Sequence, residues 1–293
     1  MTAIHHDYAS VNGVRLHYAH AGAGPLVLFL HGFPEFWYCW TKQLEDLGRD
    51  HLAVAPDLRG FNLSDHPADP KQYKARVLIE DVRQLAEKFG RGKFVLVAHD
   101  WGGAVAWAYA MAHPQTLSKL VIVNSPHPVT FARELAHNKA QQDASQYMNL
   151  FRSDKAERVL SENHYERLAK MTLEAWGKGA VDPAEKAAYL DAWSQPGALT
   201  GGLNYYRASP LYPPIGDDPG AKAVQLEPAD FIVRVPTLVV WGMRDRALLP
   251  GNLDGLEACV PDLRIERLPE ASHWVMHEEP ERLNRLIREF IDT

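Results

Sequence analysis

The sequence predicts an α/β fold, in which a mostly parallel sheet is flanked by helices and carries an inserted helical cap. Short continuous apolar runs, typical of strands buried on both faces, alternate with segments of helical period. A block at residues 129–211 contains helix-like, charged segments and no clear strand. Apolar runs return beyond it, at residues 237–241 and 263–268, so the block is an insertion between strands of one sheet.

The first part of the chain contains a hairpin and four buried strands. Residues 11–21 alternate in polarity after the turn pair Asn12-Gly13, which predicts a short hairpin. Buried strands are predicted at residues 25–30, 52–55, 94–97 and 120–123. Helices are predicted at residues 36–47, 74–89, 104–110 and, closing the chain, 280–291.

Two domains follow from this order. Residues 1–128 and 213–293 are expected to form the core, and residues 129–212 the inserted cap. The segment 213–220 is rich in proline and glycine and is interpreted as the return linker.

Composition narrows the class of protein. The chain has 293 residues, 46% of them hydrophobic, and a net charge of -6 without a basic patch, so nucleic acid is not an expected partner. No apolar run approaches the roughly 20 residues of a membrane helix, and residues 1–10 lack a signal-peptide core. Cys39 and Cys259 show no metal spacing, which favours free thiols and a cytoplasmic location. No metal or cofactor is expected, and the protein is expected to be a monomer or a homodimer.

The stretch around Asp100 has the pattern of a nucleophile elbow. An apolar strand leads into Ala98, Asp100 follows, and Gly102 and Gly103 come next, before a helix. Small residues at these places let strand and helix approach closely, while the middle residue projects from a strained turn. An aspartate after a strand is more often a helix cap, but the complete pattern favours a nucleophile.

Polar residues at other strand ends supply partners for Asp100. Ligands of open α/β sheets bind beyond the carboxyl ends of the strands, where Asp245 and His273 are predicted to lie. The chain order nucleophile, acid, histidine is that of a catalytic triad on this type of sheet. Asn124 occupies another strand end but cannot ionise. The rivals are Asp254 and Glu270 for the acid, and His31, His99 (expected to point away from Asp100) and His277 (expected to be solvated) for the base.

Together these motifs resemble the α/β-hydrolase superfamily and, within it, the soluble epoxide hydrolases. The resemblance runs from about Tyr18 to the last helix. The elements His31–Glu35 and His99–Gly103 are shared with haloalkane dehalogenases, whereas Asn204-Tyr205-Tyr206-Arg207 is more particular to epoxide hydrolases. The sequence departs from the family at Asn62, where a small residue is usual, and this concerns the local loop. The motifs are His31-Gly32-Phe33-Pro34-Glu35, His99-Asp100-Trp101-Gly102-Gly103, Asn204-Tyr205-Tyr206-Arg207, Asp245 and Ser272-His273-Trp274.

The resemblance implies hydrolysis of a small apolar epoxide to a vicinal diol through a covalent ester on Asp100. His273 would activate the water and Asp245 would orient His273. Backbone N–H groups of Phe33 and Trp101 would hold the oxyanion.

Two cap tyrosines would protonate the leaving oxygen. Tyr206 is one by resemblance, with Tyr205 as its rival. Tyr147 is preferred as the second, because it lies one helical turn before Phe151. Its rivals are Tyr165, Tyr189 and Tyr212. The expected pocket residues are Phe33, Trp101, Phe151 and Trp274, and further aromatic candidates, more often core residues, are Trp37, Trp40, Trp176 and Trp193.

Two other functions stay open at this point. A haloalkane dehalogenase would use the same aspartate, but it needs N–H donors for the halide. Trp101 could supply one, whereas Phe33 occupies the place where an asparagine often supplies the second. A catalytically silent binding protein of the same fold is the other alternative, although such a protein need not retain all parts of the triad.

Overall fold

The computed structural model describes residues 2–90, 92–175 and 182–293, and these contain one eight-stranded sheet. The strands are β1 (His5–Val11), β2 (Val14–Ala21), β3 (Leu26–Leu30), β4 (Leu52–Pro56), β5 (Phe94–His99), β6 (Leu117–Val123), β7 (Thr237–Gly242) and β8 (Leu263–Leu268). Their spatial order is β1-β2-β4-β3-β5-β6-β7-β8. β2 pairs antiparallel with β1 and β4, and the neighbours from β4 to β8 are parallel. The predicted α/β architecture is confirmed.

The described residues contain eleven α-helices in addition to this sheet. They are α1 (Thr41–Leu47), α2 (Ala75–Phe89), α3 (Asp100–Ala112), α4 (Pro128–His137), α5 (Lys139–Ala144), α6 (Tyr147–Arg152), α7 (Ala156–Met171), α8 (Pro183–Ser194), α9 (Ala198–Ala208), α10 (Val275–Glu278) and α11 (Pro280–Ile291). The backbone of α7 is non-helical at residues 162–165. None of the described helices has the length and hydropathy needed to span a bilayer.

The central strands are apolar throughout because helices cover both faces of the sheet. Every residue of β5 is buried. Alternate side chains point to opposite faces, so Leu96 packs on one side with α2 and α3, and Val97 on the other with α1 and α11. The sheet therefore holds the carboxyl end of β5 rigidly in the middle of the molecule.

The prediction of one helix over residues 36–47 is wrong for the first part of this segment. Trp37–Trp40 forms a 3₁₀ turn, and the α-helix begins only at Thr41. The N–H of Trp37 donates to the Asp57 carboxylate at 3.0 Å, and the N–H of Cys39 bonds the Phe36 carbonyl three residues back. These bonds favour the tighter turn over a regular α-helix.

Helices α4 to α9 form the cap between β6 and β7, and the described part of residues 124–236 contains no strand, only an isolated bridge between Ile215 and Asp218. Side chains of α8 and α9 bond loops at the carboxyl edge of the sheet. Trp193 Nε1 donates to the Pro34 carbonyl at 2.7 Å, and the Tyr205 hydroxyl donates to the Arg59 carbonyl at 3.0 Å. The boundaries 1–128, 129–212 and 213–293 stay a prediction.

Buried polar contacts hold the loop after β4, on which α9 rests. Asn62, the departure from the family pattern, has a φ of 44°, and its side chain donates to the Asp57 carboxylate at 2.8 Å. Arg59 is 2% exposed and makes two bonds of 2.7 Å to the carboxylate of Asp81 in α2. Asparagine tolerates left-handed backbone better than most residues, so this loop forms without a small residue at position 62.

The Arg59–Asp81 pair leads to a stability prediction. Asp81→Asn leaves a buried guanidinium without its counter-charge, and we expect the free energy of unfolding to fall by about 3–5 kcal/mol. The matched control is Glu80→Gln on the same helix, because Glu80 and Arg83 form a pair that is 32% and 29% exposed. This control should cost about 1 kcal/mol or less. Urea unfolding measures both, and equal losses would contradict the prediction.

Candidate active site

Asp100 lies at the sharp turn where β5 passes directly into α3. Its φ is 49°, a left-handed conformation that is uncommon for a residue with a side chain. Gly102 and Gly103 make the turn possible. A Cβ on Gly102 would lie 2.4 Å from the Leu30 carbonyl oxygen, and a Cβ on Gly103 would lie 2.3 Å from the Cβ of Ser125. The small residues of the motif are therefore required by close packing against neighbouring elements.

Two backbone N–H groups face the carboxylate of Asp100. The N–H of Phe33 donates to Oδ1 at 2.9 Å, and the N–H of Trp101 also bonds this carboxylate. The carbonyl of Asp100 accepts a bond of 2.7 Å from Ser125 Oγ. The two residues expected to form the oxyanion hole thus lie where negative charge on the Asp100 side chain can be stabilised.

His273 lies between two carboxylates. Its Nδ1 is 2.7 Å from Asp245 Oδ2, and its Nε2 is 3.7 Å from Asp100 Oδ2. The side chains of His273 and Asp100 are 11% and 12% exposed, and that of Asp245 is fully buried. The structure therefore brings together the three residues that the strand ends pointed to.

Further donors surround Asp245. The N–H groups of Ala247 and Leu248 bond Oδ1 at 2.8 and 2.9 Å, and Asn124 Nδ2 bonds Oδ2 at 2.7 Å. Asn124 is held in turn by the N–H of Gly242, which donates to its Oδ1 at 2.8 Å. Asn124, interpreted from the sequence only as a strand-end residue that cannot ionise, is thus a hydrogen-bond partner of Asp245 that was not predicted. Its place at a strand end was the signal that could have shown this.

Burial and charge shift the pKa values of Asp100 and His273 together. Burial raises the pKa of Asp100 above its usual range, opposed by His273 and the two N–H groups of Phe33 and Trp101. Burial alone would lower the pKa of His273, but the adjacent carboxylates of Asp245 and Asp100 outweigh it and raise this pKa to about 9. At neutral pH the ring of His273 is therefore protonated, and it lies beside the Asp100 carboxylate as a counter-charge.

The loop that carries His273 is fixed from two sides. His99 Nε2 donates to the His273 carbonyl at 2.9 Å, so His99 supports the loop and is not aimed at Asp100, as expected. The N–H and hydroxyl of Ser272 both donate to the Glu278 carboxylate, the hydroxyl at 2.7 Å. Glu278 lies before the predicted last helix at residues 280–291, and no sequence motif indicates its contact with Ser272.

Tyr147 and Tyr206 both lie above Asp100. Tyr206 is 3% exposed, and its ring centre is 4.9 Å from that of Trp101, 5.0 Å from Phe151 and 6.2 Å from Tyr147. Burial raises the pKa of both tyrosines above 10, so both keep their protons at neutral pH. Each therefore has a proton to donate in the cavities that both tyrosines share with Asp100.

The rival tyrosines have other contacts. The Tyr205 hydroxyl donates to the Arg59 carbonyl, and Tyr189 donates to the buried Glu35 carboxylate. Tyr212 bonds Asp218, and the Tyr165 ring lies 6.0 Å from that of Trp193. None of these four lines the described cavities that contain Asp100.

Two cavities meet at Asp100, Tyr147 and Tyr206. One, of about 110 Å³, extends over Trp101 toward α4, and the other, of about 100 Å³, extends past His273 toward α7. Apart from the catalytic candidates their walls are mainly apolar. The four expected pocket residues, Phe33, Trp101, Phe151 and Trp274, all line one or the other.

The additional tryptophan candidates lie elsewhere. Trp40 is fully buried in the core, Trp193 bonds the Pro34 carbonyl, and Trp37 packs beside the β1–β2 hairpin. Trp176 lies outside the described residues.

One rival histidine was predicted wrongly. His277 is not simply solvated, because its Nε2 lies 3.0 Å from the carboxylate of Glu35, which is 1% exposed. The turn after β3 brings Glu35 below the cap, where its carboxylate can contact His277. The acid rivals are at the surface: Asp254 is exposed, and Glu270 pairs with Arg244.

Cys39 and Cys259 are both free and buried. Among residues 2–90, 92–175 and 182–293, no three His, Cys, Asp or Glu side chains are grouped so that they could hold a metal ion.

Comparison with known proteins gives a consistent result. The model of the α/β hydrolase fold family matches residues 25–280. An AB hydrolase superfamily protein of Bacillus subtilis is 36% identical over 99% of both chains. Epoxide hydrolase 4 of Mus musculus is 34% identical over 98% of this chain and 79% of its own. The crystal structure of Bacillus megaterium epoxide hydrolase in complex with an inhibitor has a TM-score of 0.90 and 38% identity, covering 98% of this chain and 100% of that one.

The His273–Asp245 contact leads to a prediction about pH. We expect His273 to titrate near pH 9, and Asp245→Asn to lower its pKa strongly, because burial then acts with less opposition. ¹⁵N NMR of the imidazole measures this. Since the pKa in the folded protein exceeds the ordinary 6.5, the interaction stabilises the fold below that pH and is lost as pH rises through about 9.

The exposed Asp254 provides the control. Asp254→Asn should leave the titration of His273 unchanged. A His273 pKa near 6.5 in the unmodified protein would contradict the prediction.

Proposed function

The chain belongs to the α/β hydrolase family and groups with its epoxide hydrolases, and from this premise we propose that it hydrolyses a small apolar epoxide to a vicinal diol. The observation that supports the proposal is that Tyr147 and Tyr206 line the same two apolar cavities as Asp100. A nucleophile on one side and two proton donors on the other are what ring opening of an epoxide requires.

A carboxylate suits this substrate better than a serine hydroxyl would. An ester or amide substrate brings its own carbonyl, whereas an epoxide offers only an sp³ carbon. A carboxylate can displace at that carbon and become an ester. The enzyme then holds the carbonyl that water must attack.

In the first step an Asp100 oxygen attacks a ring carbon, the carbon–oxygen bond of the epoxide breaks and an ester bond forms. The oxygen released from the ring takes a proton from Tyr206 or Tyr147. The raised pKa values of these tyrosines keep the protons in place until a more basic alkoxide develops.

In the second step water attacks the ester carbonyl on Asp100. His273 Nε2 takes the proton of that water, and Asp245 stabilises the imidazolium. The N–H groups of Phe33 and Trp101 hold the oxyanion, and one such donor is typically worth about 3 kcal/mol. When the intermediate collapses, the bond between the carbonyl carbon and the substrate oxygen breaks, and that oxygen takes the proton of the hydroxyl added by water, which gives the diol and the Asp100 carboxylate. The proton on His273 returns to the tyrosinate through solvent.

The two steps are linked by charge. Before the reaction, the Asp100 carboxylate helps to raise the pKa of His273. Ester formation removes that charge, so the pKa of His273 falls and the ring releases its proton to solvent more readily, while Asp245 still orients it. His273 therefore becomes available as a base at the stage that needs one.

The cytoplasmic location and the monomeric or homodimeric state stay predictions. A halide-releasing reaction on the same aspartate is less favoured, because two tyrosines face Asp100 and Phe33 offers only an apolar side chain toward this space. A silent binding protein is less favoured because Asp100, His273 and Asp245 are within contact distance of one another.

Removal of the base should trap the ester. In His273→Gln incubated with a terminal aryl epoxide, we expect the mass of the Asp100 peptide to increase by one substrate molecule, because ester formation continues and hydrolysis stops. Peptide mass spectrometry after denaturation measures this. Asp100→Ala is the control and should show neither adduct nor diol; diol formation by that variant would disprove the covalent mechanism.

The cap tyrosines should separate epoxide from halide chemistry. Tyr206→Phe should slow diol formation by roughly 100-fold or more, since a general acid typically contributes that much. Tyr212→Phe is the matched control, because its hydroxyl bonds the exposed Asp218 and its side chain does not line the cavities that contain Asp100. A parallel panel of epoxides and haloalkanes, assayed for diol and for halide, measures the effect. Halide release that survives Tyr206→Phe, with no diol from any epoxide, would favour a dehalogenase.

A further inference from the structure

An arginine ties the helix of Tyr147 to the helix of Tyr206. Tyr147 is the first residue of α6 and Arg152 is its last. Arg152 Nη1 donates to the carbonyl of Tyr206 and, at 2.8 Å, to the carbonyl of Ser209, at the end of α9. The guanidinium lies 3.7 Å above the ring of Tyr212, which fixes its plane. A single side chain thus connects the two tyrosine-bearing helices.

A second arginine makes the reverse connection. Arg207, in α9, donates to the carbonyl of Ser153, the residue that follows α6, at 3.2 Å. It also pairs with Glu157 of α7 through bonds of 2.7 and 2.8 Å. The last carbonyls of a helix have no partner within the helix and attract positive charge. Each arginine therefore stabilises the end of the other's helix, and we call the pair Arg152 and Arg207 the arginine brace.

The position of α6 depends on such tertiary contacts. With six residues it is too short to be stable alone, and its N-cap residue Gln146 makes no side-chain cap bond. Its inner face packs through Phe151, whose ring centre is 5.2 Å from Tyr147 and 5.0 Å from Tyr206. Ring contacts of this kind hold the helices together but allow sliding along the helix axes. Bonds to carbonyl oxygens restrict that sliding.

We propose that the arginine brace sets the spacing of the Tyr147 and Tyr206 hydroxyls, so that both donate to the same epoxide oxygen. Neither arginine lines the cavities that contain Asp100, so both are positioning residues. The inference rests on the proposed function. It assigns Arg152 the larger part, because Arg152 bonds the backbone of Tyr206 itself.

The test separates the two chemical steps. In Arg152→Met, rapid-quench single-turnover measurements with an aryl epoxide should show ester formation slowed roughly 10- to 100-fold, the loss expected when a catalytic group moves by about 1 Å. The rate of ester hydrolysis depends on His273, Asp245 and the oxyanion donors of the core, and it should change less than about twofold. Arg207→Met should give a smaller loss in the same step. Arg152→Lys keeps the charge and one donor, should retain part of the rate, and carries the test if Arg152→Met does not fold.

Two controls distinguish spacing from general loosening of the cap. Arg158→Met removes an exposed pair with Glu162 within α7 and should leave both steps unchanged. In a Tyr147→Phe background Tyr206 is the one proposed proton donor that remains, so there is no spacing between two donors to disturb. Arg152→Met should then slow ester formation only a few-fold further, which is the non-additivity that a double-mutant cycle measures for coupled residues.

Equal slowing of both steps, an undiminished loss in the Tyr147→Phe background, or an Arg152→Met variant as fast as Arg158→Met would each overturn the inference. Failure of the proposed function would look different, because the unmodified protein would then form no ester on Asp100.

Discussion

The close approach of α3 to the ends of β3 and β6 is the constraint on which the active site depends. Leu30 and Ser125 lie so close to Gly102 and Gly103 that neither glycine could carry a Cβ. The chain must therefore turn sharply at Asp100. The left-handed backbone at this turn directs the carboxylate at the N–H of Phe33. Strain at one residue is tolerated because a fully buried strand holds one side and a helix holds the other. Packing thus positions Asp100, the proposed nucleophile, before any substrate binds.

The same packing excludes most water from the side chains of Asp100, Asp245 and His273. Hydrogen bonds and ion pairs within the protein replace the lost hydration. A buried charge is costly unless it is paired and hydrogen-bonded. The Asp245 carboxylate therefore accepts hydrogen bonds from His273, Asn124 and two backbone N–H groups. The Asp100 carboxylate accepts hydrogen bonds from two backbone N–H groups. The donors that make burial tolerable are also the groups that stabilise charge in the proposed mechanism. Structural support and electrostatic stabilisation in this site cannot be separated.

The core part of the site could be predicted from sequence, and the cap part only incompletely. Parallel strands place their carboxyl ends at one edge, so Asp100, Asp245 and His273 could be brought together from strand positions alone. In the cap, neighbouring tyrosines such as Tyr205 and Tyr206 differ only in which side of one helix they occupy, and the contact of Tyr205 with the Arg59 carbonyl joins residues 146 positions apart. The Glu35–His277 contact and the bonds of Arg152 are equally non-local. Local periodicity carries no information about such pairs.

This division between core and cap has a consequence for how the chemistry is specified. In the proposed mechanism the core supplies the ester-forming aspartate, the base and the oxyanion donors, a set that suits displacement at carbon whether the leaving group is an alkoxide or a halide. The proposed acids for an alkoxide, Tyr147 and Tyr206, belong to the cap. Their distance from Asp100 depends on α9, whose Tyr205 and Asn204 bond core loops at the Arg59 and Ala68 carbonyls. Asp100 alone therefore does not determine the substrate: the spacing between cap and core decides whether the same carboxylate can open an epoxide.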